Sequence, residues 1–157
     1  MMERKYLMHF LDANFGSGET NYVRLGEDLE EFNEELNPQV ETKQNILGEQ
    51  RVKHSGWQVQ SAVEPFYAYE DEPLFPKLAA IANERKTGDA CKTTQVDVLV
   101  NEDGTQVWAY REDVYVVPTS IGGDTSGVQI PFQIHNAGNR TAGNWNASTK
   151  TFNPTNG

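Results

Sequence analysis

The most constraining feature of this chain is an alternating segment of about two dozen residues. Val96, Val98 and Val100 alternate with Asp97 and Leu99, Asn101-Glu102-Asp103-Gly104-Thr105 interrupts them, and a second run returns from Val107 to Val117. A period of two places successive side chains on opposite faces of a strand. Gly104 can adopt the positive φ that a tight connection requires. The segment therefore predicts a β-hairpin over 94–117, and the rest of the chain must supply a sheet around it.

Further strand signals lie on both sides. In residues 4–11, Tyr6, Met8 and Phe10 share one face and Leu7, His9 and Leu11 the other. Both faces are largely apolar, which predicts a strand covered on two sides. A turn cluster at Asn14-Phe15-Gly16-Ser17-Gly18 precedes a short strand near Tyr22-Val23-Arg24-Leu25. Trp57, Val59, Ser61 and Val63 form one face of another strand, with Trp57 expected in the core. Residues 128–134 alternate with apolar even positions, and Pro131 requires an edge or a bulge there. A last strand is expected at Lys150-Thr151-Phe152, and residues 153–157 are expected to be flexible.

Two segments carry helical spacing. Leu29, Phe32 and Leu36 fall at i, i+3 and i+7, which predicts a short helix over 28–36 ended by Pro38. The stronger signal spans 73–86. Leu74, Leu78, Ile81 and Arg85 form one stripe, Asp71 is a candidate cap, the prolines sit in the first turn, and Gly88 is a candidate C-terminal cap. Residues 39–50 are polar and extended in character. The expected fold class is mainly β: an antiparallel β-sandwich or barrel with one flanking α-helix at about residues 73–86. The whole span 1–157 is expected to form a single domain.

Charge narrows the function classes. Lys and Arg total 13 against 23 Asp and Glu, a formal net charge of −10. Adhesion to DNA, RNA or an anionic membrane draws on Lys and Arg, so it is not expected. Hydrophobic residues at 37% and aromatics at 10% supply a core, which excludes a disordered acidic tail protein. One Cys excludes an intrachain disulfide framework and a Cys-rich zinc site. No segment approaches the roughly 18 apolar residues of a membrane span, so no membrane anchor is expected. The run Tyr6–Leu11 is too short for a signal-peptide core, and synthesis without export is expected. Much of the charge asymmetry sits in Glu27, Asp28, Glu30, Glu31, Glu34 and Glu35, with no base among them. Such a run calls for water or a basic partner.

No catalytic motif is present. His9, His54 and His135 lack metal-ligand spacing, and His9 and His135 read as structural residues of strands. Glu70-Asp71-Glu72 and Glu102-Asp103 lack the spaced oxygen ligands of an EF-hand. Cys91 reads as a small buried hydrophobe. Gly122-Gly123-Asp124-Thr125-Ser126-Gly127 lacks a phosphate-loop ending and reads as a flexible loop between strands. No metal, cofactor or enzymatic activity is expected. Trp57, Trp108, Tyr110 and Trp145 could stack on sugars, so a ligand- or carbohydrate-binding β-sandwich is the alternative reading.

One pattern runs through most of residues 20–155. It comprises Tyr22-Val23-Arg24-Leu25-Gly26 before an acidic stretch, then Asn37-Pro38-Gln39-Val40-Glu41-Thr42, Asn45-Ile46-Leu47-Gly48-Glu49 and Ser55-Gly56-Trp57. A helix before Thr87-Gly88-Asp89 follows, and the pattern closes with Gly138–Trp145 and Ala147-Ser148-Thr149-Lys150-Thr151-Phe152. Together these resemble phage tail tube proteins, also called major tail proteins, of the long non-contractile type. Trp145 and Asn146 depart from the usual ending, where an aromatic followed by Asp is more common. The resemblance implies hexameric rings stacked into a tube, with the chain partnering itself, the tape measure protein, and tail terminator or distal tail proteins. It implies a lumen that passes DNA without specific binding, and a place in a virion tail assembled in the bacterial cytoplasm. Acids on the wall would repel the cargo, and the candidates are Asp97, Glu102, Glu112 and Asp113. Candidate inter-ring or inter-subunit residues are Glu30, Glu31, Glu34, Glu35, Asn45, Arg51 and Lys53.

Overall fold

A computed structural model describes every residue except Ser17, Glu27, Asp28, Glu30, Asn156 and Gly157. The chain is mainly β, with 51% of residues in strands, and its largest sheet curls into an antiparallel half-barrel. In chain order the strands are β1 (Leu7–Asp12), β2 (Tyr22–Arg24), β3 (Pro38–Gln44), β4 (Gln50–Trp57), β5 (Gln60–Val63), β6 (Lys92–Val100), β7 (Gln106–Pro118), β8 (Gly122–Asp124), β9 (Gly127–Gln129), β10 (Phe132–Asn146) and β11 (Thr151–Pro154). The helix α1 (Leu74–Glu84) lies between β5 and β6. The large sheet runs β11-β10-β7-β6-β1-β2, and β5 pairs with the other end of β10.

The expected hairpin is β6–β7. Asn101 and Thr105 close its turn, and Gly104 takes φ 88°. Alternation along β1 sends Phe10 to one face of the sheet and Leu11 to the other. On the Leu11 face, Val114, Val116, Phe132 and Ile134 pack against Leu74 and Leu78 of α1. On the opposite face, Phe10, Val96, Val98 and Ala109 meet Tyr22 and Phe152, with Trp145 stacked on Phe10 at 4.4 Å between centroids. Each fully buried Leu or Phe contributes about 1.5–3 kcal/mol of transfer free energy.

The helix begins one residue later and ends two residues earlier than its sequence signal. Glu72, not Asp71, accepts the Leu74 N–H, and Arg85 rather than Gly88 takes the left-handed terminal position at φ 56°. Residues 31–36 are not helical: Phe32 is buried, and Glu35 exchanges two backbone hydrogen bonds with Gln60. The 122–127 segment is a small hairpin, β8–β9, in which a Cβ on Gly123 would collide with the Gly127 carbonyl. Pro131 falls in the break between β9 and β10, where no ladder donor is required. The segment after Asn136 continues β10 to Asn146 through two register shifts, helped by left-handed backbone at Gly138 and Asn139. Asn153 and Pro154 pair with β10 as part of β11.

Candidate functional site

Residues 38–57 form an arm. β3 and β4 pair only with each other, from Pro38 opposite Trp57 to Gln44 opposite Gln50. No residue of this ribbon is buried, and none belongs to either core cluster. The tip carries Ile46 and Leu47, 103% and 76% exposed. Val40, Val52 and Trp57 are also exposed, so Trp57 does not join the core as expected. Its ring instead meets His54 edge-on at 4.7 Å. Asn45 builds the turn, since its Oδ1 accepts the N–H groups of Leu47 and Glu49 at 3.0 Å each. Lys43 stands opposite Arg51, and Glu41 opposite Lys53. An isolated two-stranded ribbon is marginal in water, so an arm this exposed calls for a cover.

Between residues 31–35, which lead into the arm, and residues 62–67 lies a cleft of about 580 Å³. Its walls include Phe32, Pro65 and Tyr67, and its charged lining is Glu31, Glu35 and Glu64, with no base. Of the candidate inter-subunit acids, Glu31 and Glu35 are exposed there, and Glu30 lies outside the described residues.

Glu34 belongs elsewhere. It joins a buried polar cluster that the strand register assembles on the Leu11 face of the sheet. His9 of β1 stands opposite Asp97 of β6, and Gln95 stands opposite Glu112 of β7. His9 Nδ1 lies 2.6 Å from Asp97 Oδ1, and Gln95 Nε2 donates to Asp97 Oδ1 and Glu34 Oε1 at 2.9 Å each. Arg4 reaches the other ring nitrogen of His9 at 3.0 Å while also donating to the carbonyls of Leu7 and Phe32. A guanidinium only donates, so His9 Nε2 accepts and Nδ1 carries the proton given to Asp97.

Burial holds the His9 pKa down to about 4, with Arg4 and Arg24 adding to the effect against Glu34. Burial raises Glu34 to about 8, reinforced by its hydrogen bond to Asp97 and by the Asp97 charge. Near neutral pH the cluster holds a neutral His9 imidazole and a Glu34 carboxyl that keeps its proton in the bond to Asp97. His9, Glu34 and Asp97 present ligand atoms within 4.8 Å of one another, the geometry of a metal-site candidate. The Arg4 contact directs the His9 lone pair away from that point, so the arrangement fits proton sharing better than metal ligation.

The other expected wall acids divide in the same way. Glu112 is buried, accepting from Asn136 Nδ2, Gly138 N and Arg140 Nη1 at 2.9, 3.2 and 3.0 Å. Asp113 is half-buried on the opposite face, 3.8 Å from Lys92 and 3.3 Å from Asn139 Nδ2. Glu102 stands exposed in the β6–β7 turn. Arg51 is exposed and lies 3.5 Å from Glu49. Among the aromatics considered for sugar stacking, Trp145 packs on Phe10, and Arg140 covers the Tyr110 ring at 4.4 Å.

Sequence reasoning missed the arm and the proton-sharing cluster. The arm has no buried face to impose alternation. The cluster joins His9 to Asp97 across 88 positions and needed the strand register.

No protein-family model and no curated protein matches the chain. Solved structures do share its fold. The sheath/tube terminator of an extracellular contractile injection system, PVC, in its extended state superposes with a TM-score of 0.57 at 9% identity, over 90% of this chain and 96% of that one. The tube-terminating cap of the anti-feeding prophage gives 0.56 at 11% identity, over 90% of each chain. At such identities the likeness establishes the fold. It does not by itself assign a role, and neither structure is a long non-contractile major tail protein.

Proposed function

We propose that this chain is a structural subunit of a phage-tail-like particle, assembling with copies of itself into a ring at the end of a tube. The observation that carries this reading is the whole-length likeness to a tube terminator and a tube cap, with little of either chain left over. The exposed arm and the open edges of the sheet supply the surfaces that a ring would close. In this reading the chain has no active site, and its partners are its own copies, the tube and sheath it terminates, and other tail proteins. Its place is the tail of a particle assembled in the bacterial cytoplasm.

The negative charge suits such a place. A conduit that passes DNA must not hold it, and each cationic phosphate contact would add affinity. Glu102 is the exposed member of the four wall candidates, and Asp113 is half-buried. These two are the acids offered as a repelling lining, while Asp97 and Glu112 serve the interior.

Electron microscopy of the purified protein with sedimentation velocity tests this reading. Discrete rings that do not lengthen, and that cap preformed tubes, are expected. Long self-polymerised tubes would return the chain to a tube-subunit role. A strictly monomeric protein at every concentration, with and without tubes, would refute self-assembly.

A further inference from the structure

The acidic cleft contains more than carboxylates: it holds an unfinished sheet edge. Gln60 of β5 exchanges backbone hydrogen bonds with Glu35, Glu35 N–H to Gln60 O at 2.7 Å and Gln60 N–H to Glu35 O at 3.0 Å. These bonds point away from β10, whereas the carbonyl of Val59 points toward it and accepts from Asn136 N at 3.0 Å. Along an antiparallel ladder the direction of the backbone groups alternates with each residue. Ser61 and Val63 therefore bond to β10, and Ala62 turns its N–H and C=O outward with Gln60. Among the described residues Glu35 covers Gln60 alone, and none bonds the outward backbone groups of Ala62. Ala62 is exposed and lines the cleft among Glu31, Glu35 and Glu64.

We propose that this edge is a strand-addition site, and that its occupant is the arm of a second copy of this chain, entering by the outer edge of β4. The inference rests on the self-assembly reading above and names the contact through which assembly proceeds. Three observations select the arm. The first is charge: residues 38–57 hold Lys43, Arg51 and Lys53 against Glu41 and Glu49, a net positive element on a chain of −10. The cleft presents three carboxylates and no base. The second is an internal tension in the arm. Lys43 and Arg51 stand directly opposite each other, a like-charge pair that the exposed Arg51–Glu49 contact at 3.5 Å offsets only in part and that an acidic surface would relieve further. The third is backbone supply. Asn45 N–H bonds to the Glu49 carbonyl, so alternation puts the ladder bonds at Lys43–Arg51 and Glu41–Lys53 and leaves Val52 facing outward on β4.

Among the described residues the arm forms no backbone bond to its own cleft. The arm leaves the body at Pro38 and Trp57, close to the Glu35–Gln60 bridge, and seven paired residues extend it by about 23 Å. Its basic residues are exposed and remain open to a neighbour. One surface thus binds a different surface on the next copy, the head-to-tail relation that closes into rings. Main-chain bonds would supply affinity and the Glu–Arg and Glu–Lys pairs would set register, as in other strand additions.

The test is sedimentation velocity over a concentration series on the full chain and four variants. Arg51→Glu with Lys53→Glu is expected to weaken self-association by about tenfold or more. Glu31→Lys with Glu64→Lys is expected to do the same, and the four changes combined are expected to restore it. Ala62→Pro removes the outward N–H at an edge position that tolerates proline, and should abolish association with the far-ultraviolet circular dichroism unchanged. If Ala62→Pro fails to fold, the charge-reversal set decides alone. Assembly at wild-type affinity in the charge variants overturns this contact and leaves the self-assembly reading standing. Loss in both reversals without recovery in the combination also overturns the pairing. A wild-type chain that never associates overturns both readings.

Discussion

His9 and Asp97 face each other across β1 and β6, with Nδ1 of one 2.6 Å from Oδ1 of the other and neither open to solvent. Arg4 fixes the imidazole in its neutral form, and burial keeps its pKa at about 4 against 6.5 when unfolded. The unfolded chain therefore binds the extra proton between those values, and the stability present above pH 6.5 is lost as pH falls toward 4. Glu34 works in the opposite sense. Its pKa rises from 4.5 to about 8, so its contribution is present below 4.5 and lost as pH climbs through 8. Stability should peak on the acid side of neutrality. Each limb should approach a slope of at most about 1.4 kcal/mol per pH unit. Urea titrations from pH 4 to 9 would show it, with Glu34→Gln flattening the alkaline limb. A monotonic rise through pH 8 would contradict the shared proton.

Leu78 has no solvent exposure and lies in the core between α1 and the sheet, with Val114, Val116 and Ile134 in the same cluster. Leu78→Ala removes apolar contact and leaves a void that rigid strands cannot fill. A loss of about 2–5 kcal/mol is expected from chemical denaturation. Lys77→Ala, one position away and exposed, should stay within about 0.5 kcal/mol of wild type.

Gly143 is buried in β10 where β11 crosses it. A Cβ there would meet the Asn153 carbonyl, the Phe152 ring and the Pro154 Cα. Two of these are backbone and cannot swing aside. Gly143→Ala should push β11 outward, at a cost of about 1–3 kcal/mol. Phe152 pairs with Trp145 across the two strands, so the displacement should perturb the Trp145 indole resonance and spare that of Trp57 on the arm.

The parts legible in the sequence are those whose pattern is local. The β6–β7 hairpin was readable because Val96 and Val98 reach the core at a period of two around a glycine turn. The helix is readable from Leu74, Leu78 and Ile81, although its N-cap is Pro73 and the Leu74 N–H bonds to Glu72 instead of Asp71. Asp28 and Glu30 lie outside the described residues, and over 31–36 the helical spacing of Leu29, Phe32 and Leu36 gives way because Phe32 packs against His9 at 4.6 Å and Glu35 finds its backbone partners in Gln60. Tertiary partners there override helical spacing. β10 looked like a glycine- and asparagine-rich tail because Gly138 and Asn139 form its bulges. The polar cluster could not be read at all, since its members are joined only by register.

The arm offers the clearest separation between folding and function. Pro38 and Trp57 are register partners at its root, and nothing between them contributes to either core cluster. Replacing residues 39–56 by a short Gly-Ser turn should leave the two core clusters and the His9–Asp97 contact intact. Core clusters set stability, and exposed ribbons add little to it. The excised protein is expected to unfold cooperatively within a few degrees of wild type, measured by thermal circular dichroism, yet to sediment as a monomer at concentrations where the full chain associates. If the excised chain still formed rings, the arm would be dispensable and the assembly surface would have to lie on the sheet edges alone. If it lost its fold, the arm would instead prove to brace the body, and Trp57 would be the residue to pursue.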